Sequence, residues 1–171
     1  ASYLPFQALV IRHYNNHLYL LGNWDSNPNA TTLATPNAFQ SQKGILSITK
    51  MDTATGNRVW GTYYGNPDNS ELAFGFGFKV NQRGIFVIGD AIDMTGTPHS
   101  YFGTAGSHQP TSAGDTDIFL SKFNLDGQRL WSTYFGSAGN ETCFLSNSPL
   151  ALSGNSEFIT LVQNSEQSTN L

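Results

Sequence analysis

Three groups of side chains have types and spacing that could do chemistry. Glu71, Asp90 and Asp93 fall within one stretch of the chain, and two carboxylates facing each other across a cleft are the machinery of glycoside hydrolysis. Asp115 and Asp117 flank Thr116 in a short acidic loop, and oxygen donors grouped in this way suit calcium. His13 and His17 stand four apart, the spacing that aligns two zinc ligands on a helix. Each group also has a plainer reading. Nothing in the sequence fixes the separation of the three acids, and acids at strand ends are ordinarily solvated. The counterpart of the acidic loop before Ile45 is Lys43-Gly44, so a calcium donor set is not repeated. A turn at Asn15-Asn16 separates the two histidines, and no Glu follows His13. His99 and His108 read as solvated loop residues. Ser47, Ser121 and Ser132 lie outside any G-x-S-x-G elbow, and Gly75 and Gly77 alternate with Phe74, Phe76 and Phe78 as a tightly packed strand rather than a phosphate loop. No catalytic residue, cofactor-binding residue or metal ligand is nominated, and no cofactor is expected.

The elements that would position such groups form a tandem repeat. Trp60 and Thr62-Tyr63-Tyr64-Gly65 return 71 residues later as Trp131 and Thr133-Tyr134-Phe135-Gly136. Upstream, Gly56 and Gly127 each lie four residues before the tryptophan, and Lys50 and Lys122 close apolar runs. Tyr19-Leu20-Leu21-Gly22 parallels Phe86-Val87-Ile88-Gly89, and Thr35 to Gln40 is echoed by Thr104 to Gln109. A repeat of this length implies stacked structural units, each unable to bury its apolar surface alone.

Alternation and turn chemistry predict short strands at 7–14, 17–23, 45–51, 58–64, 73–80, 85–91, 117–123, 129–135, 144–152 and 157–163, with helix nearly absent. The units read as a half unit at 1–24 and full units at 45–91 and 117–163, joined by connectors 25–44 and 92–116. Trp60, Thr62 and Tyr64 share one strand face and Val59, Gly61 and Tyr63 the other, so both faces carry bulk. Sheets apolar on both faces must be sandwiched, which blades around an axis achieve. The expected fold is all-β, with β-propeller blades of four antiparallel strands. Trp60, Tyr64, Trp131, Phe135, Gly56 and Gly127 are the expected blade-locking residues, and Trp131→Ala is expected to cost about 3–5 kcal/mol. About two and a half blades cannot close a ring, which typically takes four to eight. The chain is therefore expected to belong to a longer protein or to be completed by another chain, and its start at Ala1 fits that expectation.

Composition narrows the partners. Charged residues are 12% and aromatic residues 13% of the chain, with 17 glycines, a mixture common in exported β proteins and unlike a disordered tail. A formal charge of −4 disfavours nucleic acid, and no apolar run is long enough to span a bilayer. The single Cys143 has no partner for an internal disulfide.

The string Asp117 to Phe123, then Asp126-Gly127, then Leu130 to Gly136, together with Gly84 to Gly89 and Thr35 to Gln40, resembles the bacterial SBBP repeat, named for a seven-bladed β-propeller. Leu161 and the segment Ala105 to Gln109 depart from the family pattern. The resemblance implies a non-catalytic secreted or cell-surface module that binds protein or glycan, as part of a type 9 secretion substrate or adhesin of the Bacteroidota. Its partners would be the rest of the propeller, another protein chain, a glycan or the secretion machinery. Met51 to Trp60 is also similar to a structural motif of quinoprotein dehydrogenases, which leaves a propeller enzyme, quinoprotein-like or glycosidase-like, as the alternative. If binding is the function, the long connectors carry it, with Trp24, Tyr101 and Phe102 as contact residues. The competing reading of these three is a hydrophobic plug beneath the loops.

Overall fold

The computed structural model describes residues 6–24, 33–143, 150–153, 157–160 and 163–164. The described residues hold twelve β-strands and no helix. Strands β1 (Phe6–Tyr14), β2 (His17–Trp24), β3 (Leu46–Asp52) and β4 (Arg58–Tyr64) form one antiparallel sheet in chain order. Strands β5 (Glu71–Asn81), β6 (Gly84–Asp93), β7 (Thr116–Phe123) and β8 (Arg129–Phe135) form a second sheet of the same design. Two short pairs follow, β9 (Glu141–Thr142) with β12 (Gln163–Asn164), and β10 (Leu150–Ser153) with β11 (Glu157–Thr160).

Local chemistry accounts for the hairpins. Asn15 and Asn16 both take positive φ, 47° and 60°, the geometry of a two-residue turn whose twist matches its flanking strands. The turns before β4 and β8 close on Gly56 and Gly127 at φ 69° and 82°, where a side chain would be strained. Each copy also repeats its irregularities. A bulge interrupts β1 between Ala8 and Val10 and β5 between Gly75 and Gly77, and another falls between Lys50 and Met51 and between Lys122 and Phe123. The second pair of bulges places Trp60 opposite Lys50 and Trp131 opposite Lys122, and it leaves Val59 and Leu130 unpaired. Strict alternation therefore fails at those two positions. Val59 and Leu130 are 47% and 53% exposed rather than members of a buried face.

Of the expected strands 144–152 and 157–163, residues 144–149 and 161–162 lie outside the described residues. The eight strands of the two large sheets match the sequence reading closely, but their grouping into sheets differs. The stretch 45–91 is divided: its first two strands pair with β1 and β2, and its last two with β7 and β8. The long connectors join neighbouring strands of one sheet, and the short segment 65–70 crosses between sheets. A tandem repeat looks the same in every phase, so periodicity alone does not mark where a sheet begins.

The two sheets face each other across the main core. Tyr19, Leu21, Leu46, Ile48 and Tyr64 of the first sheet pack on Phe78, Ile85, Val87, Phe119, Phe123 and Tyr134 of the second. Gly75 eases the close approach, since an added Cβ would lie 2.7 Å from Leu21 Cδ2 and the leucine end would have to shift. The opposite face of the second sheet is buried too: Phe86, Ile88, Ile118 and Leu120 cluster with Cys143 and Leu150. Each fully buried aromatic or aliphatic side chain contributes about 1.5–3 kcal/mol, so a sheet apolar on both faces is stable only between neighbours.

Candidate functional site at the sheet junction

Trp60 and Tyr64 of the first sheet meet Ser121, Gly127 and Ser132 of the second where the two sheets join. Trp60 projects from β4 across the gap, and its Nε1–H donates to the carbonyl oxygen of Leu125 at 3.1 Å. Lys50, opposite it in the strand register, reaches the same oxygen at 3.5 Å. The indole lies over Gly127, where an added Cβ would come within 2.9 Å of the ring. Gly127 is thus required both for its backbone angle and for the space above it.

One strand turn away, Tyr64 is fully buried. Its hydroxyl is 2.5 Å from Ser121 Oγ and 3.2 Å from Ser132 Oγ, and those two oxygens are 2.6 Å apart. Its ring meets Phe102 and Phe123 edge-on at 5.1 and 5.0 Å. Burial raises the Tyr64 pKa, although Arg129 opposes the rise, so the phenol stays protonated and serves as a hydrogen-bonding anchor.

The described parts of the connectors are tied to the sheets by backbone hydrogen bonds. In the first copy, the amide of Thr35 donates to Gly61 O, and Tyr63 N donates to Gln40 O. In the second, Thr104 N donates to Ser132 O and Tyr134 N to Gln109 O. The Gln40 and Gln109 amides in turn donate to the hydroxyls of Thr62 and Thr133 at 2.9 Å. The segments Thr35 to Gln40 and Thr104 to Gln109 thus lie along the outer strand of their own sheets and cover edges that would otherwise be free to pair. The echo of Thr35 to Gln40 in Thr104 to Gln109 carried this information, as the record of a repeated edge cover.

The contact residues expected in the connectors lie in different settings. Phe102 is fully buried and stacked on Phe119 at 4.2 Å, and its amide donates to the Tyr134 hydroxyl at 3.0 Å. It is a plug in the core, corrected from a surface contact. Tyr101 is half-buried: its hydroxyl donates to Gln40 Oε1 and accepts from Gly65 N, and its ring lies under the Arg129 guanidinium at 5.6 Å. The side chain of Trp24 lies outside the described residues. Trp131 is half-buried against the second cluster, and Phe135 is 48% exposed beside His108. Gly56 has open space above it.

The acids do not converge on one centre. Asp90 and Asp93 project to opposite faces of the second sheet, because they are three apart on one strand. Asp90 accepts from Thr142 Oγ1, Cys143 N at 2.8 Å and Cys143 Sγ at 3.2 Å. Asp93 accepts from Thr95 N at 2.7 Å and lies 2.8 Å from His99 Nε2, so it organises its own loop. Burial pushes the Cys143 thiol well above its usual range, and the neighbouring Asp90 reinforces the rise.

Glu71 is buried opposite Asp93 in the strand register. Tyr134 donates to Glu71 Oε1 at 2.7 Å, while Glu71 Oε2 has no hydrogen-bond partner. Burial raises the Glu71 carboxyl to about 7, partly offset by Tyr134 and His99. Asp117 is buried as well, and its Oδ2 accepts from the amides of Ala113 and Gly114 at 2.9 and 3.0 Å. Asp115 is exposed, so the two acids flanking Thr116 divide between solvent and interior rather than sharing an ion. His17 pairs with its own turn, its Nδ1 lying 2.7 Å from Asn15 O, while His13 is exposed across the strand pair.

No protein-family model matches the chain, and no curated protein is significantly similar to it. No helix among the described residues is long and apolar enough to cross a membrane.

Proposed function

We propose that this chain contributes blades to a β-propeller and serves as a non-catalytic platform that binds protein or glycan. The observation that carries the reading is the Trp60 junction, where one sheet reaches over the glycine turn of the next, while the second sheet is covered on both faces. On this reading the first and second sheets are whole blades, and β9 to β12 belong to a third. The two sheets share one strand design, which supports a stack that continues by the rotation of the Trp60 junction, and radial repetition would turn such a stack into a ring. The resemblance to SBBP repeats supports an exported or cell-surface bacterial setting for such a ring, of the kind delivered by type 9 secretion.

The non-catalytic part rests on where the polar groups are spent. Asp90, Asp93 and Asp117 each hold a loop or strand end through several hydrogen bonds, and Glu71 is buried against Tyr134. Electron microscopy of the natural polypeptide tests the architecture, with a closed ring of blades as the expected image and an open sandwich as the contrary one. Turnover of chromogenic glycosides that disappears in Glu71→Gln would contradict the absence of catalysis. A visible absorbance band in the purified protein would favour the quinoprotein alternative.

A further inference from the structure

We infer that the turn from Asp52 to Arg58 is a socket for an indole, and that its occupant is the outer strand of another sheet of this same repeat, presenting tryptophan and tyrosine at the spacing of Trp60 and Tyr64. The inference rests on the propeller reading and assigns the contact by which one more blade joins the first sheet.

Two turns in the chain share a side-chain oxygen that gathers backbone amides at the start and a glycine at the close. Asn124 Oδ1 accepts from the amides of Asp126 and Gln128 at 3.0 and 2.9 Å, and Asp52 Oδ1 accepts from those of Ala54 and Thr55 at 3.0 and 2.8 Å. Both turns close on a glycine in the left-handed region. At Gly127 the Trp60 ring fills the space above the turn, whereas an added Cβ at Gly56 would meet nothing within 4 Å. The first turn is one residue longer between its side-chain acceptor and its glycine, closes on that glycine as the second does, and lacks the ring.

Two further equivalent positions point the same way. Ile11 and Phe78 hold the same register place, opposite Leu20 and Val87. Phe78 is fully buried in the junction, while Ile11, facing away from it, is 52% exposed. Thr49 stands before Lys50 as Ser121 stands before Lys122. Ser121 Oγ is engaged by the Tyr64 hydroxyl, whereas Thr49 Oγ1 is buried without a hydrogen-bond partner. An indole over Gly56 would supply the ring that this turn lacks, and the observed junction shows the same strand carrying a phenol to the position equivalent to Thr49. Thr49 is already covered within the chain, so the phenol would reach its unpaired oxygen by displacing that cover. Continuity with that junction, rather than exposure alone, identifies the occupant.

The test uses the full chain, labelled with nitrogen-15, and two synthetic peptides. One has the sequence of residues 58–65, and the other replaces its tryptophan with alanine. The expected result is saturable chemical-shift change at Thr55, Gly56 and Asn57 with the first peptide, at least about tenfold weaker with the second. Gly56→Asn keeps the turn, because asparagine tolerates positive φ, but fills the space, and it should abolish the response while the rest of the spectrum is unchanged. Self-association of the chain that is lost in Gly56→Asn would identify a second copy as a source of the strand and support the socket. Equal responses to the two peptides, no response at that turn, or undiminished binding by Gly56→Asn would each overturn it. Such a failure would leave the ring image of the natural polypeptide as a separate result, so the two readings fall independently.

Discussion

The Nε1–H of Trp60 points at the carbonyl oxygen of Leu125, 65 residues further along the chain and in the next sheet. A main-chain carbonyl is present whatever side chain occupies its position, so the contact depends on the tryptophan, the turn shape and Gly127. Trp60→Phe retains a ring and loses the hydrogen bond, with an expected cost of about 1 kcal/mol. Trp60→Ala should cost about 3 kcal/mol, the low end for a large aromatic because this one is only half-buried. Urea denaturation of the two variants checks the order and the sizes.

Gly56 and Gly127 should respond unequally to the same change. Either alanine meets the left-handed backbone penalty of about 1–2 kcal/mol. Only Gly127→Ala also drives a methyl against an indole, so it should be the more damaging by at least about 1 kcal/mol. Equal losses, measured by the shift in denaturation midpoint, would mean that Trp60 does not rest on the turn.

Tyr64→Phe isolates the buried hydroxyl. The Ser121 and Ser132 hydroxyls keep their mutual bond at 2.6 Å, so the expected loss is about 1 kcal/mol. Phe135, the counterpart of Tyr64, lacks this hydroxyl, and Phe135→Tyr in the isolated chain should be nearly neutral. Thermal melts of both variants test the contrast.

Stability should fall as the solution is made less acidic. The Glu71 carboxyl titrates near 7 in the folded protein against an ordinary value of 4.5, so the folded state binds the extra proton between those values. Its contribution is complete below about 4.5 and is lost as pH rises through about 7, a change on the order of 3 kcal/mol. Asp117, also raised by burial, adds a slope of the same sign. Glu71→Gln mimics the protonated carboxyl and should flatten most of the dependence in denaturation measured from pH 4 to 8. An unchanged slope would assign it to other groups.

The strands were legible because their turn signals are local. Asn15-Asn16, Gly56 and Gly127 each set a backbone angle that only a few residues accept, and Arg58–Tyr64 and Arg129–Phe135 fall where alternation put them. Recurrence of Trp60 as Trp131 pointed to a contact between copies, and Trp60 makes one, at Leu125 and Gly127 of the second sheet. The sheet boundaries were not. The short segment 65–70 resembles a hairpin loop, and only long-range pairing distinguishes it from one. The bulges at Val59 and Leu130 were hidden as well, because an inserted residue leaves the composition of the strand unchanged. Among the acids, sequence proximity of Glu71, Asp90 and Asp93 concealed that Asp90 faces away from the other two, a consequence of register rather than of residue type.

The junction is tested most directly by the Hα resonances of Gly127 and Gly56 in the full chain at low concentration. Ring current from an indole over Gly127 should move its Hα protons strongly upfield and leave those of Gly56 near their ordinary position, and Trp60→Ala should erase the difference. Gly127 protons at ordinary shifts, or unaffected by the loss of Trp60, would contradict the contact from which the stacked-sheet account is built.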